Sequence, residues 1–164
     1  MLSTLHTNDA PSSVSRLVNI GLEPYLIAAS LNGILAQRLV RRLCNHCKEP
    51  FTPPENLRKY LEIGQIEPNE LLMGKGCEKC RNSGYAGRCG IHELLIVDEA
   101  FREIINTDSS VNNMRRAFRK SGWQSLFEDG LTKAKHGTST IEEVMRVSEA
   151  EGLDPAAFSR KASG

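Results

Sequence analysis

Cys44-Asn45-His46-Cys47 and Cys77-Glu78-Lys79-Cys80 are two Cys-x-x-Cys pairs separated by residues 48–76. Around them the chain lacks long periodic runs: Pro50, Pro53, Pro54 and Pro68 fall between Cys44 and Gly90, with Gly64, Gly74, Gly76, Gly84 and Gly87. Such a segment buries too little apolar surface to offset the entropy of ordering it, so something besides a core must hold it. Two thiolate pairs can do so, because four sulfurs complete a tetrahedral shell and leave no position for water. Cys44, Cys47, Cys77 and Cys80 therefore read as a structural zinc site, with chelation expected to loosen Cys44–Gly90 while the C-terminal helices persist. Iron in the same all-sulfur set is not separated from zinc by ligand type. One Cys-x-x-Cys pair alone would equally suit a thiol redox couple; two pairs favour metal. His46 and His92 are the candidate replacements for a cysteine ligand, and the fifth cysteine, Cys89, reads as a small buried hydrophobe.

Outward from this segment the texture is that of a folded protein. Of 164 residues, 40% are hydrophobic and 25% charged, which is outside the range of disordered chains. The balance of 21 basic and 20 acidic residues, net +1, creates no overall field towards nucleic acid or acidic lipid. Arg38, Arg41 and Arg42 form a local basic cluster, but aromatic residues are only 5% and none interleaves with it, so a single-strand stacking platform is missing. A solvated strand face or a subunit contact is the simpler reading. The longest apolar stretch, Tyr25–Ala36, is broken by Asn32-Gly33 and is too short to span a bilayer. Five cysteines without a secretory leader suit a reducing, cytosolic compartment.

Before the quartet, Leu2–Thr7 alternates weakly as a strand, and Asn8-Asp9-Ala10-Pro11 reads as a turn and helix start. Val14, Leu17 and Val18 give that helix an apolar stripe, and Gly21 closes it. Tyr25 to about Leu31 is apolar almost all round, which predicts a buried helix. After the Asn-Gly break, Ile34–Leu43 reads as a strand, although the leucine spacing also fits a helix.

A short helix is expected over about Pro54–Leu61 and a strand over Gly90–Val97. Four helices follow: Asp98–Asn106, Ser110–Lys120, Ser125–His136 and Ile141–Ala150. Ser125-x-x-Glu128 and Thr140-x-x-Glu143 have capping-box spacing. The stripes Val111, Met114, Phe118 and Phe127, Leu131, Ala134 are expected to meet in one small helical core.

No phosphate-gripping G-x-x-x-x-G-K-[ST] loop occurs; at Gly74-Lys75, the nearest approach, Asn69 stands at the first glycine position and Gly76 at the hydroxyl position. The abrupt strand-like start at Met1 reads as a truncation.

Ser3-Thr4-Leu5-His6-Thr7-Asn8-Asp9-Ala10 resembles the histidine box of the ATPases that drive type II secretion and type IV pilus assembly. Leu35–Cys44, the second cysteine pair, Gly84-Tyr85-Ala86-Gly87-Arg88, Gly90–Leu95 and Leu126–Leu131 follow in the family's order. Ile91-His92-Glu93-Leu94-Leu95 and the quartet spacing are closer to the type II secretion member, with the pilus-extension member as the alternative. A zinc-binding nucleic-acid module or a thiol-redox protein would be the reading from other classes.

The resemblance implies an α+β chain: a RecA-like α/β remnant over 1–43, a tetracysteine zinc subdomain over 44–93, a small helical C-terminal subdomain over 94–151 and a disordered tail over 152–164. It implies a homo-hexameric motor, peripheral at the cytoplasmic face of the inner membrane, that docks on secretion or pilus platform proteins, with no transmembrane segment and no nucleic acid as partner. It places His6 near the nucleotide phosphates. ATP and Mg2+ would bind only in the full-length protein, whose Walker A and Walker B boxes would lie upstream, so this chain alone is expected to be inactive.

Overall fold

A computed structural model describes residues 2–148. The expected tail over 152–164, and the end of the last expected helix, lie outside the described residues. The chain is a mixture of helix and strand divided into two compact units that interleave in sequence: Met1–Gln37 with His92–Ser125, and Arg38–Ile91 with Leu126–Gly164. Two long hydrogen-bonded strands, β1 (Gly33–Leu43) and β4 (Tyr85–Ile96), each contribute to both units. Val97 N–H donates to Asn32 C=O (3.0 Å) at one end of the pair and Cys44 N–H to Gly84 C=O (2.9 Å) at the other, so the strands run antiparallel.

The first unit holds α1 (Ala10–Asn19), α2 (Pro24–Ser30), α4 (Glu99–Thr107) and α5 (Val111–Ser121). Asp9 starts α1 by accepting the Ser12 N–H at 2.7 Å, and proline occupies its first turn. Helix α1 packs on α5 and α2 on α4, around Val14, Ile27, Leu95, Phe101, Ile105, Met114 and Phe118. Trp123 closes this core against Phe101 and Phe118, each with ring centroids 5.7 Å away.

The second unit holds the short antiparallel pair β2 (Lys48–Pro50) and β3 (Leu72–Gly74), with α3 (Arg58–Gly64), α6 (Leu126–Lys135) and α7 (Ile141–Val147). Tyr60 of α3 meets Phe127 of α6 edge to face at 5.5 Å. Helix α7 approaches α6 at Gly130, where any Cβ would collide with the Val144 side chain. Leu131, Ala134, Ile141 and Val144 are buried there.

Three expectations are corrected. Leu2–Thr7 forms no strand, since no strand among the described residues pairs with it. Helix α2 buries only Ile27 and Ala28; Tyr25 and Leu26 are 62% and 48% exposed, because α4 covers one face alone. The stripes of α5 and α6 do not build one core, because Met114 and Phe118 belong to the first unit and Phe127, Leu131 and Ala134 to the second.

Candidate metal centre

Each Cys-x-x-Cys pair folds into a tight turn that presents both sulfurs on one side. Directly after β1, Cys44 C=O accepts the N–H groups of Cys47 (3.2 Å) and Lys48 (3.0 Å). In the second pair a single 3-10 turn, Glu78–Cys80, is closed by Cys80 N–H and Asn82 N–H donating to Cys77 C=O at 3.1 and 2.9 Å. Arg81 and Asn82 then take left-handed conformations (φ 52° and 58°), which reverse the chain towards β4. The turns are tied together by backbone bonds: Lys75 N–H to Cys47 C=O (3.0 Å) and Cys44 N–H to Gly84 C=O. Gly74 and Gly84 lie backbone to backbone, leaving no room for a Cβ at Gly74, so glycine here lets the loops close around the cluster.

The result is four sulfurs gathered at one point. Cys44–Cys77, Cys47–Cys80 and Cys77–Cys80 Sγ separations are 3.9, 3.8 and 3.7 Å, and all four atoms lie within 4.8 Å of one another. These distances are far beyond an S–S bond of about 2.05 Å. They match the edge of a tetrahedron with metal–sulfur bonds of about 2.3 Å, which is about 3.8 Å, so the donor set fits a metal ion. Cys44 and Cys80 are buried, and Cys47 and Cys77 half-buried.

Main-chain donors complete the surroundings. Cys80 Sγ accepts the N–H groups of Cys77 (3.2 Å) and Gly84 (3.3 Å). Burial pushes this thiol up, but those two donors and the neighbouring thiols of Cys77 and Cys47 outweigh it and bring it down to about 6. Cys47 goes the other way, to about 12: burial pushes it up, a bond from Gly76 opposes this, and the three neighbouring thiols add to the rise. Four sulfurs within 4.8 Å of one another, one of them accepting two backbone N–H groups, form a site whose charge a cation would stabilise.

Neither His46 nor His92 belongs to the cluster; both side chains are exposed. Cys89 is half-buried on β4, and burial pushes its thiol up. His6 lies in the exposed stretch before α1, in the first unit, and is not among the clustered ligands.

One buried group of the second unit leaves no signal in the sequence. Glu143, 1% exposed, accepts from Arg41 N–H (3.0 Å) and Arg41 Nε–H (3.0 Å), and is paired with Arg41 Nη2 (2.8 Å) and Arg146 Nη2 (2.6 Å). Arg41 also lies over the Tyr85 ring, 4.1 Å from its centroid. The capping spacing was half right: Thr140 Oγ1 accepts Glu143 N–H at 3.2 Å, while the Glu143 carboxylate goes to the arginines. The pairing of an acidic residue with one 102 positions earlier leaves no trace in local periodicity.

A family model described as Type II/IV secretion system protein matches residues 1–146. The type II secretion system ATPase E of Vibrio cholerae is 46% identical over 149 residues, covering 91% of this chain and 29% of that protein. The type IV pilus assembly ATPase PilB of Thermus thermophilus is 46% identical over 147 residues, covering 88% and 16%. The type II secretion system protein E of Pseudomonas aeruginosa is 44% identical over 151 residues, covering 92% and 30%. The chain thus spans less than a third of each of these relatives. With the family model matched along most of its length, the chain belongs to the type II/IV secretion system protein family.

Proposed function

We propose that this chain is the part of an ATP-driven secretion motor that follows the phosphate-binding machinery, and that its cysteine quartet holds one structural zinc ion. The observation that carries the motor reading is the match of residues 1–146 to the family together with relatives named as ATPases at 46% identity. In this reading residues 1–43 close a RecA-like nucleotide core, with His6 as a donor near the phosphates, 44–93 form the metal-stapled module, and the helices that follow divide between the two compact units. The assembled protein is a hexamer that works on an inner-membrane platform from the cytoplasmic side. Type II secretion is the preferred system, from the Ile91–Leu95 block; the equal identity of a pilus ATPase supports pilus assembly as the second reading.

The test is a chimera in which residues 1–148 replace the matching segment of the Vibrio cholerae relative. The 164-residue chain alone, with no G-x-x-x-x-G-K-[ST] loop, should hydrolyse no ATP, because phosphoryl transfer rests on positioned phosphate and magnesium ligands. The chimera should hydrolyse ATP, and His6→Ala should lower its kcat on the order of 10²-fold, as for loss of one donor at developing charge. Steady hydrolysis by the isolated chain, dependent on His6, would refute the reading.

A further inference from the structure

The segment that carries His6 is anchored from two places far away in sequence. Glu93 of β4, only 5% exposed, accepts the N–H of Ala10, the first residue of α1, at 2.9 Å. Asp9 uses both carboxylate oxygens: one accepts the Ser12 N–H (2.7 Å) and the Ser12 hydroxyl, the other Arg115 Nε of α5 at 2.7 Å. Thr7 Oγ1 and Ser13 Oγ share a hydrogen bond of 2.7 Å. Thr7, Asp9 and Ala10 are thus each bonded at 2.7–2.9 Å, Asp9 and Ala10 to groups 106 and 83 positions later.

A capping aspartate needs no arginine, and the first N–H of a helix can be satisfied by water. Burying a second carboxylate beside Asp9 is costly unless its charge is used, and the helix N-terminus supplies the compensating dipole. Together these contacts fix where α1 begins and hence where the preceding residues leave it. A displacement of about 1 Å in a reacting group can cost on the order of 10²-fold in rate, so such fixing matters for a donor aimed at phosphate.

We propose that Glu93 and Arg115 are positioning residues for His6, acting through Ala10 and Asp9 to hold the histidine segment in register with the nucleotide phosphates. The proposal rests on the reading of His6 given under Proposed function. Glu93→Gln keeps the shape and an acceptor oxygen but loses the charge, and Arg115→Gln, at a side chain 33% exposed, removes the grip on Asp9 while keeping a polar side chain there.

In the chimera each variant should lower kcat about tenfold with KM within about twofold, and the effect should vanish when His6 is already alanine, because residues acting through one group are not additive. In the 164-residue chain itself, both variants should shift the His6 ring resonances and speed amide exchange at Ala10 and Ser12, with the Cys44–Cys80 amides unmoved. A kcat loss that persists in full on the His6→Ala background, unchanged kcat, or unmoved His6 resonances would each overturn the proposal. If His6→Ala alone leaves kcat unchanged, the His6 reading itself has failed and takes the proposal with it; a slow His6→Ala beside normal Glu93→Gln and Arg115→Gln sinks the positioning role alone.

Discussion

Removing the metal should unlock α6 and α7 together with residues 38–91, while α1, α2, α4 and α5 stay protected. The reason is the wiring of the second unit. Leu43 N–H donates to Thr138 C=O (2.9 Å) and Ser139 Oγ to Arg41 C=O (2.8 Å), so the turn between α6 and α7 grips the residues that lead into Cys44. Lys135 Nζ donates to Gln65 C=O at 2.7 Å, and Tyr60 stacks edge-on against Phe127. Between the two cysteine pairs the only strands are the three-residue β2 and β3, and the buried apolar residues are Leu57, Tyr60, Leu61, Ile66 and Leu71.

Structural zinc contributes an apparent 10–16 kcal/mol, roughly, in small zinc-dependent folds, which rivals the whole stability of a small domain at about 5–15 kcal/mol. Hydrogen exchange followed by mass spectrometry, with and without chelator, checks this. Protection should fall by more than about 100-fold across 38–91 and 126–147 and by less than about threefold in 10–30 and 99–121. Persistence of α6 and α7 in the chelated protein, which the sequence reading expected, would contradict the wiring.

Glu143→Ala should destabilise the same unit severely. The substitution leaves Arg41 and Arg146 facing each other and strands the Arg41 N–H, and removing one partner of a buried ion pair costs about 3–5 kcal/mol. Both arginines are half in water, at 47% and 59% side-chain exposure, so the expected loss is at the lower end, about 3 kcal/mol. Urea unfolding at pH 7 measures it.

The same carboxyl predicts an acid dependence. Burial pushes Glu143 up, but bonds from Arg146 and Arg41, the Arg41 N–H and the Arg41 charge overcome this and hold it down to about 2 from an ordinary 4.5. The unfolded chain therefore takes up this proton first on acidification, so the stabilisation is present above pH 4.5 and is lost as pH falls towards 2. The stability gap between the parent chain and Glu143→Gln should narrow over that window; a constant gap would place the carboxyl's contribution elsewhere.

The parts of the fold readable in the sequence were those written in short-range patterns. The Asn32-Gly33 break and the alternation after it marked β1, and Asp98 and Thr140 marked the starts of α4 and α7, where each side chain accepts an N–H three residues on. The quartet was readable because Cys-x-x-Cys is itself a local geometry. β4 begins at Tyr85, five residues before the expected strand, because pairing with β1 carries it through Gly87 and Gly90, which interrupt any strand pattern.

What stayed hidden was choice of partner. Helical periodicity showed that Met114 and Phe118 share an apolar face and that Phe127 and Leu131 do too, but not that the chain would send them to different units. The all-round apolar α2 shows the same limit: composition counts apolar residues and does not say which side finds cover.

The most direct test of the metal centre is X-ray absorption at the zinc edge on the purified chain, with elemental analysis of the same sample. The account predicts about one zinc per molecule, surrounded by four sulfurs at about 2.3 Å and no nitrogen or oxygen neighbour, and loss of that metal in Cys77→Ser or Cys80→Ser. A metal shell containing nitrogen or oxygen, iron in place of zinc, or unchanged zinc in both variants would contradict it.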